Sequence, residues 1–304
     1  MPENQISVTA LVTAFSRAYH SEHDSPKIFD DFLAPKLFTP EEYAYLRQSL
    51  AKSLDFFDPE LAATGPDEAA ALARVIQIQN GPVTLGRSRY TEDCLEAAIK
   101  QGVQQYVILG AGLDTFAFRR PDLLKQLAVF EVDHPATQTG KQQRIARLGF
   151  EIPRQLHFVP VDFSSDNLET ALRQSGYDPQ KTSFFSWLGV TLYLTRRAVC
   201  DTLQSIARIA SPGSSIIFDY LDTDAFIPER TEKSVQLMQE VVRRAGEPVK
   251  TGFDPETFGG FLAEFGFNLT ENLGPSDIET LYFKGRTDDY HAKAHFHFAR
   301  AAKR

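Results

Sequence analysis

Gln105-Tyr106-Val107-Ile108-Leu109-Gly110-Ala111-Gly112 is the stretch on which the reading of this chain turns. After its first residue it is a short apolar run without polar alternation, the pattern of a strand buried on both faces of a parallel sheet. The run stops at Gly110, and two glycines separated by one alanine let a backbone approach a ligand closely. A helical candidate over 115–126 follows, so the turn lies between strand and helix. Ligands of open α/β sheets bind at that kind of junction.

Outward from this stretch the signature repeats. Leu127–Val132 ends at Asp133, His157–Val161 at Asp162, and Ser215–Phe218 at Asp219, with Ser183–Trp187 between the last two. Helical candidates separate them at 135–148, 166–175 and 195–210. Strands alternating with helices predict a doubly wound α/β fold with a mainly parallel, seven-stranded sheet. Later come helix-like stretches, Glu232–Arg244 and Pro255–Phe265. Asn268–Leu273 and Glu279–Lys284 then read as a hairpin-like pair finishing the sheet. The alternating segment with His291, His295 and His297 reads as a further edge strand. Residues 1–104 read as short helices broken at Pro26, Pro35, Pro40, Pro59 and Gly65-Pro66, forming an N-terminal helical cap on the same domain. The core then spans 105–304, with a helical insertion at about 223–255.

The bulk composition narrows the function classes. A chain of 304 residues, 42% hydrophobic and 24% charged, can build one large core. Its net charge of -8, without a basic stripe, argues against a nucleic-acid partner. The N-terminal stretch has no basic leader and no long apolar run, so neither a secretory signal nor a membrane span is expected. A cytoplasmic location is expected, and Cys94 and Cys200 read as free thiols there. The histidines at 291, 295 and 297 lack local metal partners, so no metal is expected. Nothing in the pattern specifies an oligomeric state.

The strand ends describe a nucleoside site. A dinucleotide fingerprint would place a third glycine at position 115, but Thr115 stands there. Asp133, about twenty residues beyond the turn, is placed to accept hydrogen bonds from both ribose hydroxyls. Glu131 points to the same face but lies inside the strand. Asp162 closes the third strand, where its carboxylate and the neighbouring backbone can hold an adenine amine, and Phe163 can lie on the ring. His134, before Pro135, reads as a packing or helix-start residue.

Four blocks carry a resemblance: Tyr106–Arg119 (YVILGAGLDTFAFR), Phe130–Gln138 (FEVDHPATQ), Phe158–Phe163 (FVPVDF) and Phe185–Thr195 (FSWLGVTLYLT). Together, over roughly residues 8 to 222, the chain resembles the leucine carboxyl methyltransferase-like family of class I S-adenosylmethionine-dependent methyltransferases. The resemblance implies a Rossmann-like methyltransferase fold and S-adenosyl-L-methionine as cofactor. It places Gly110, Ala111 and Gly112 at the methionine part, Asp133 at the ribose, and Asp162 with Phe163 at the adenine. The arginine of Gly86-Arg87-Ser88-Arg89 would grip the cofactor carboxylate with its planar fork. Arg87 is favoured over Arg89. Arg17 matches a basic position of the first helix that would reach the cofactor or the substrate carboxylate. Two departures stand out. Leu188 replaces a glutamate common in the family, removing a carboxylate from the cofactor's surroundings. Phe116 and Phe118 stand where arginine and tyrosine are common.

The expected activity is O-methylation of a carboxylate on a small molecule or peptide, as in natural-product biosynthesis. A carboxylate, with a pKa of about 4, is ionised at neutral pH and needs no base, whereas a phenol near 10 wants one. No histidine stands at a strand end opposite the cofactor. Tyr193 and Tyr220, just after the fourth and fifth strands, are candidates to position the acceptor. Three other readings stay open. One is phenol or alcohol O-methylation. Another is a nicotinamide-dependent oxidoreductase, against which Thr115 and the lack of a Tyr-x-x-x-Lys pair count. The third is a non-catalytic cofactor-binding protein, kept open by Leu188.

Overall fold

Each apolar run of the middle zone forms a strand in the computed structural model, which describes residues 6–304; residues 1–5, the start of the cap, lie outside the described residues. The strands are β1 (Gln105–Leu109), β2 (Ala128–Asp133), β3 (Leu156–Pro160), β4 (Ser183–Trp187), β5 (Ser215–Leu221), β6 (Phe267–Leu273) and β7 (Phe296–Lys303). They make one sheet in the order β3-β2-β1-β4-β5-β7-β6. The first five pair in parallel, and β7 runs antiparallel to both neighbours. Every residue of β1, β4 and β5 is buried, as an unbroken apolar run requires when helices cover both faces. This is a Rossmann-like α/β fold.

The strand order reverses at β1, which lies between β2 and β4, and this opens a crevice at the carboxyl ends of those strands. Gly110 and Gly112 turn the chain there at φ +74° and +53°. A Cβ on Gly110 would fall 2.2 Å from Val190 Cγ2, so the β1 turn packs directly on the loop after β4.

Three expectations need correcting. The helix foreseen over 115–126 is two short pieces, Phe116–Arg119 and Pro121–Leu124. Pro121 has no N–H to continue the ladder and keeps Arg120 out of helical geometry. Glu279–Lys284 is not a strand; Glu279–Phe283 is a π-helical turn. Ile278 and Phe283, five residues apart, are buried while Leu281 is exposed, which suits that turn and not alternation. The last strand is not an edge strand, since β7 lies between β5 and β6. Its residues Phe296 to Ala299 are buried on both faces, as an interior position demands.

Before β1 the chain is helical. The helix Val8–His23 starts at Ser7, whose hydroxyl accepts from Ala10 N–H. The long helix Asn80–Lys100 packs along it. Beyond β5, the excursion carrying the helix Lys233–Arg244 returns to its own base, where Asp222 bridges Phe253. The first helix and this excursion roof the crevice. No helix among the described residues is long and apolar enough to cross a membrane.

Candidate functional site

The crevice at the switch point holds a cavity of about 540 Å³, within the range of small-molecule sites. Gly110, Ala111, Gly112, Asp133, Asp162, Phe163, Leu188 and Arg87 all line it. The sequence-derived site residues thus converge from four strand ends and one cap helix.

Asp133 occupies the floor. One carboxylate oxygen accepts from the Gly112 N–H and the other from the His134 N–H, which ties β2 to the glycine turn. Confinement raises its pKa above the usual carboxylate range, with both N–H donors opposing the shift. Glu131, the alternative, is buried against Lys141 inside the sheet and does not reach the cavity. Burial works against the charge of Asp162, yet the Ser164 hydroxyl and N–H and nearby His134 outweigh it and hold the carboxyl below its usual range. Phe163 leans on Trp187, with ring centroids 6.2 Å apart, and shows its other side to the cavity. Thr137 also lines this end, and its buried hydroxyl has no protein partner among the described residues.

The opposite end is cationic. Arg87 projects from the long helix, 8% exposed, and donates from Nη1 to Asp219 at 2.8 Å. The other Asp219 oxygen accepts from the Gly189 N–H at 2.6 Å. Gly189 (φ +68°) is what lets the fork lie against the backbone, because a Cβ there would fall 2.6 Å from Arg87 Nη2. Arg89 is elsewhere: half exposed and paired with Asp93 four residues on. Asp219 went unnoticed as a site residue in the sequence. Its signal was present, since it follows the apolar run Ser215–Phe218 as Asp133 follows Leu127–Val132, but its partner lies 132 residues away.

Tyr220 is corrected, and Arg17 has two of its nitrogens tied to the protein itself. Arg17 borders the cavity, but its guanidinium is committed to Asp31 at 2.9 Å and to the Leu113 carbonyl at 2.8 Å. Through those two bonds it buttresses the turn after Gly112. Tyr220 is fully buried, donates to Asn272 Oδ1 at 2.9 Å, stacks on His297 and reaches neither cavity. The antiparallel neighbour β7, unforeseen at that position, is what covers it. Tyr193 stands at the cavity, where burial pushes its phenol up to about 12 against the opposing influence of Thr9 and Arg87.

A second, apolar chamber of about 160 Å³ adjoins the first. The two share Thr9, Thr13, Arg87, Gly189 and Tyr193. Ser7 and Thr9 donate their hydroxyls to Glu247, clasping the first helix to the loop beyond Lys233–Arg244 above this junction. Three of the histidines named in the sequence have other partners, although His134 also borders the larger cavity. His20 is buried between Asp24 and the Ile28 N–H, His134 caps its helix by accepting from Ala136 N–H, and His157 stacks on Phe130. Among the described residues no cluster of His, Cys, Asp or Glu could hold a metal.

The donor set suits a nucleoside joined to a zwitterionic amino acid. Carboxylates and an unpartnered hydroxyl lie at one end, apolar Leu109, Leu188 and Val190 in the middle, and the Arg87 fork at the other. Leu188 leaves the middle uncharged, and Asp219 does not replace the missing carboxylate because it is fully buried behind Arg87 and does not line the cavity. We expect Asp133→Ala to weaken S-adenosyl-L-methionine binding by about 1–3 kcal/mol, the scale of a charged hydrogen-bond pair, without unfolding the chain. Calorimetric titration of a folded mutant with wild-type affinity would remove Asp133 from the site.

Comparison with known proteins agrees. The sequence pattern described as leucine carboxyl methyltransferase matches residues 10–207. A Bacillus subtilis (strain 168) protein, provisionally named an S-adenosyl-L-methionine-dependent methyltransferase, is 39% identical, with 100% of each chain covered. A Mycobacterium avium (strain 104) protein provisionally given the same activity is 31% identical over 71% of this chain and 67% of its own. Among solved structures, a DUF574 family protein from Streptomyces avermitilis superposes with a TM-score of 0.58 at 12% identity, covering 96% of this chain and 97% of its own. At such identity the likeness speaks for the fold alone.

Proposed function

The chain belongs to the leucine carboxyl methyltransferase family of S-adenosyl-L-methionine-dependent methyltransferases, and from that premise we propose that it methylates oxygen, specifically a carboxylate of a small molecule or peptide. The observation that carries this reading is the wall common to the two cavities. It presents Thr13, Tyr193 and the Arg87 guanidinium beside Thr9, whose hydroxyl is donated to Glu247, and no histidine.

Asp133, Asp162, Phe163 and Thr137 would hold the nucleoside, with Gly110–Gly112 and Arg87 at the amino-acid part. When bound, the cofactor supplies an electrophilic sulfonium methyl group. The chain's own task is to bring an oxygen within roughly 3–3.5 Å of it and keep water away. The first helix and the 223–255 excursion do the second part, lining the acceptor side with Val8, Val12 and Met238, beside Leu192 from the turn after β4. A dry junction favours reactants whose opposite charges cancel on reaction. Tyr193, protonated throughout the neutral range, donates a hydrogen bond and orients the acceptor; it cannot serve as a base there.

A carboxylate acceptor leaves no proton to remove, so kcat is expected to stay flat from about pH 6 to 9. Tyr193→Phe should lower kcat/KM by roughly 3–10-fold, the scale of one hydrogen bond, without bending that profile. Ala at His134 or His157 should keep most of the rate; at His20 it should cost stability instead, since that ring bridges Asp24 and Ile28. One observation favours a second reading. Glu247, at the junction beneath the Ser7 and Thr9 hydroxyls, could act as base for a phenol or alcohol. A panel of carboxylic acids and phenols, assayed for methyl ester or ether, separates the two. A rate that rises with pH, is confined to phenols and is lost in Glu247→Gln would replace the carboxylate reading. No product from either class would favour a non-catalytic binder.

A further inference from the structure

The apolar chamber beyond the junction ends in a cation that the proposed chemistry does not use. Asn80, Val83 and Arg87, on one face of the long helix, line it lengthwise. At 1.5 Å per residue the Arg87 end lies roughly 10 Å from the Asn80 end. Val75, Val235, Met238 and Val242 close the sides. At the far end stands Lys293. Its Nζ donates to the Ile78 carbonyl at 2.8 Å, its one hydrogen bond among the described residues, although an ammonium carries three N–H groups.

We infer that this chamber takes an elongated apolar acid whose far end carries a second anionic oxygen group, bound by Lys293 while the first carboxylate faces Tyr193 and Arg87. The inference rests on the carboxylate reading above and names the substrate class for it. An ammonium kept in an apolar wall with spare donors is costly unless an anion or hydrogen-bond acceptor meets it. Burial lowers Lys293 to about 8, with only Glu232 opposing, so the charged form survives at neutral pH without a carboxylate in contact. A substrate carrying the anion would remove that cost. The helix Lys233–Arg244 points the same way. Val235 is fully buried against the core, and Met238 and Val242 on the same face are only partly buried where they line the chamber.

Decanedioic and decanoic acids, titrated calorimetrically into the whole protein saturated with S-adenosylhomocysteine, test this. The diacid should bind at least about 10-fold more tightly than the monoacid, and Lys293→Met should abolish that preference while still binding the monoacid. Equal binding of the two acids by wild type, or a preference that survives in Lys293→Met, would overturn the inference. Should Lys293→Met fail to fold, Met238→Trp fills the chamber from the exposed helix. It should lose both acids and keep its affinity for S-adenosylhomocysteine, and retained acid binding overturns the inference. Methyl ester formation is read separately. A Lys293-dependent preference without ester removes the carboxylate-acceptor reading alone, and ester from both acids without preference removes this inference alone.

Discussion

Asp219→Ala is expected to destabilise the protein by about 3–5 kcal/mol, because it strands the Arg87 guanidinium in a buried site. Asp219 is fully buried and holds Arg87 at 2.8 Å and the Gly189 N–H at 2.6 Å, so one substitution removes two partners. Domain stabilities are typically about 5–15 kcal/mol, so a large share would be lost and a lowered urea midpoint should be plain. Arg87 would also lose the anchor that aims its free nitrogens into the crevice, and S-adenosyl-L-methionine affinity should fall with stability. Asp219→Asn keeps an acceptor and should be milder. The control is the double variant Arg87→Met with Asp219→Leu. It should recover stability relative to Asp219→Ala because no charge is left unpaired, yet it should not recover cofactor affinity. If Asp219→Ala kept wild-type stability and affinity, the pair would have neither role.

The second large effect is expected at Gly110. A valine there must hold φ near +74°, costing roughly 1–2 kcal/mol for an L-residue. Its Cβ would also meet Val190 Cγ2 at 2.2 Å, and overpacking of that kind costs about 1–3 kcal/mol more. Turn and loop would part, and both line the crevice. Gly110→Val should therefore lose at least about tenfold in S-adenosyl-L-methionine affinity as well as stability. Gly110→Ala combined with Val190→Ala separates the causes. Relief of the overlap should return part of the affinity while the backbone penalty remains. Full recovery in the double variant would show that conformation contributes nothing, and an unaffected single variant would show that the contact is not tight.

Much of this was legible before any coordinates, and for identifiable reasons. Strands β1, β4 and β5 are buried throughout and β2 along its middle, so they appear as apolar runs, and β1, β2 and β3 lead into the glycine or aspartates that define the crevice. Local pattern finds such elements. It does not find partners far away in the chain. Arg87 could be named, but not Asp219, its anchor across 132 residues. Arg17 looked like a free cation because nothing in its own helix reveals Asp31 and the Leu113 carbonyl. Tyr220 looked like a site residue because its place after the apolar run 215–218 was visible, and its continuation of β5 beside β7 was not. Lys293 lies in a stretch whose lining role depends wholly on folding back to Ile78. Asp133 needed no distant partner to be recognised, only its place at the end of a strand.

The place of β7 has a consequence in time. Of the seven strands it is synthesised last, yet it belongs between β5 and β6. While a nascent chain lengthens at about 5–20 residues per second, the 222–295 stretch takes roughly 4–15 s to appear. Through that interval β5 presents an unsatisfied edge carrying Ile216, Phe218 and Tyr220, and β6 has no neighbour to join. Open, apolar edges recruit strands from other molecules. The hazardous moment for this protein is therefore the interval between the synthesis of β5 and that of β7, and shielding of nascent chains should matter more to its yield than to the refolding of the finished polypeptide.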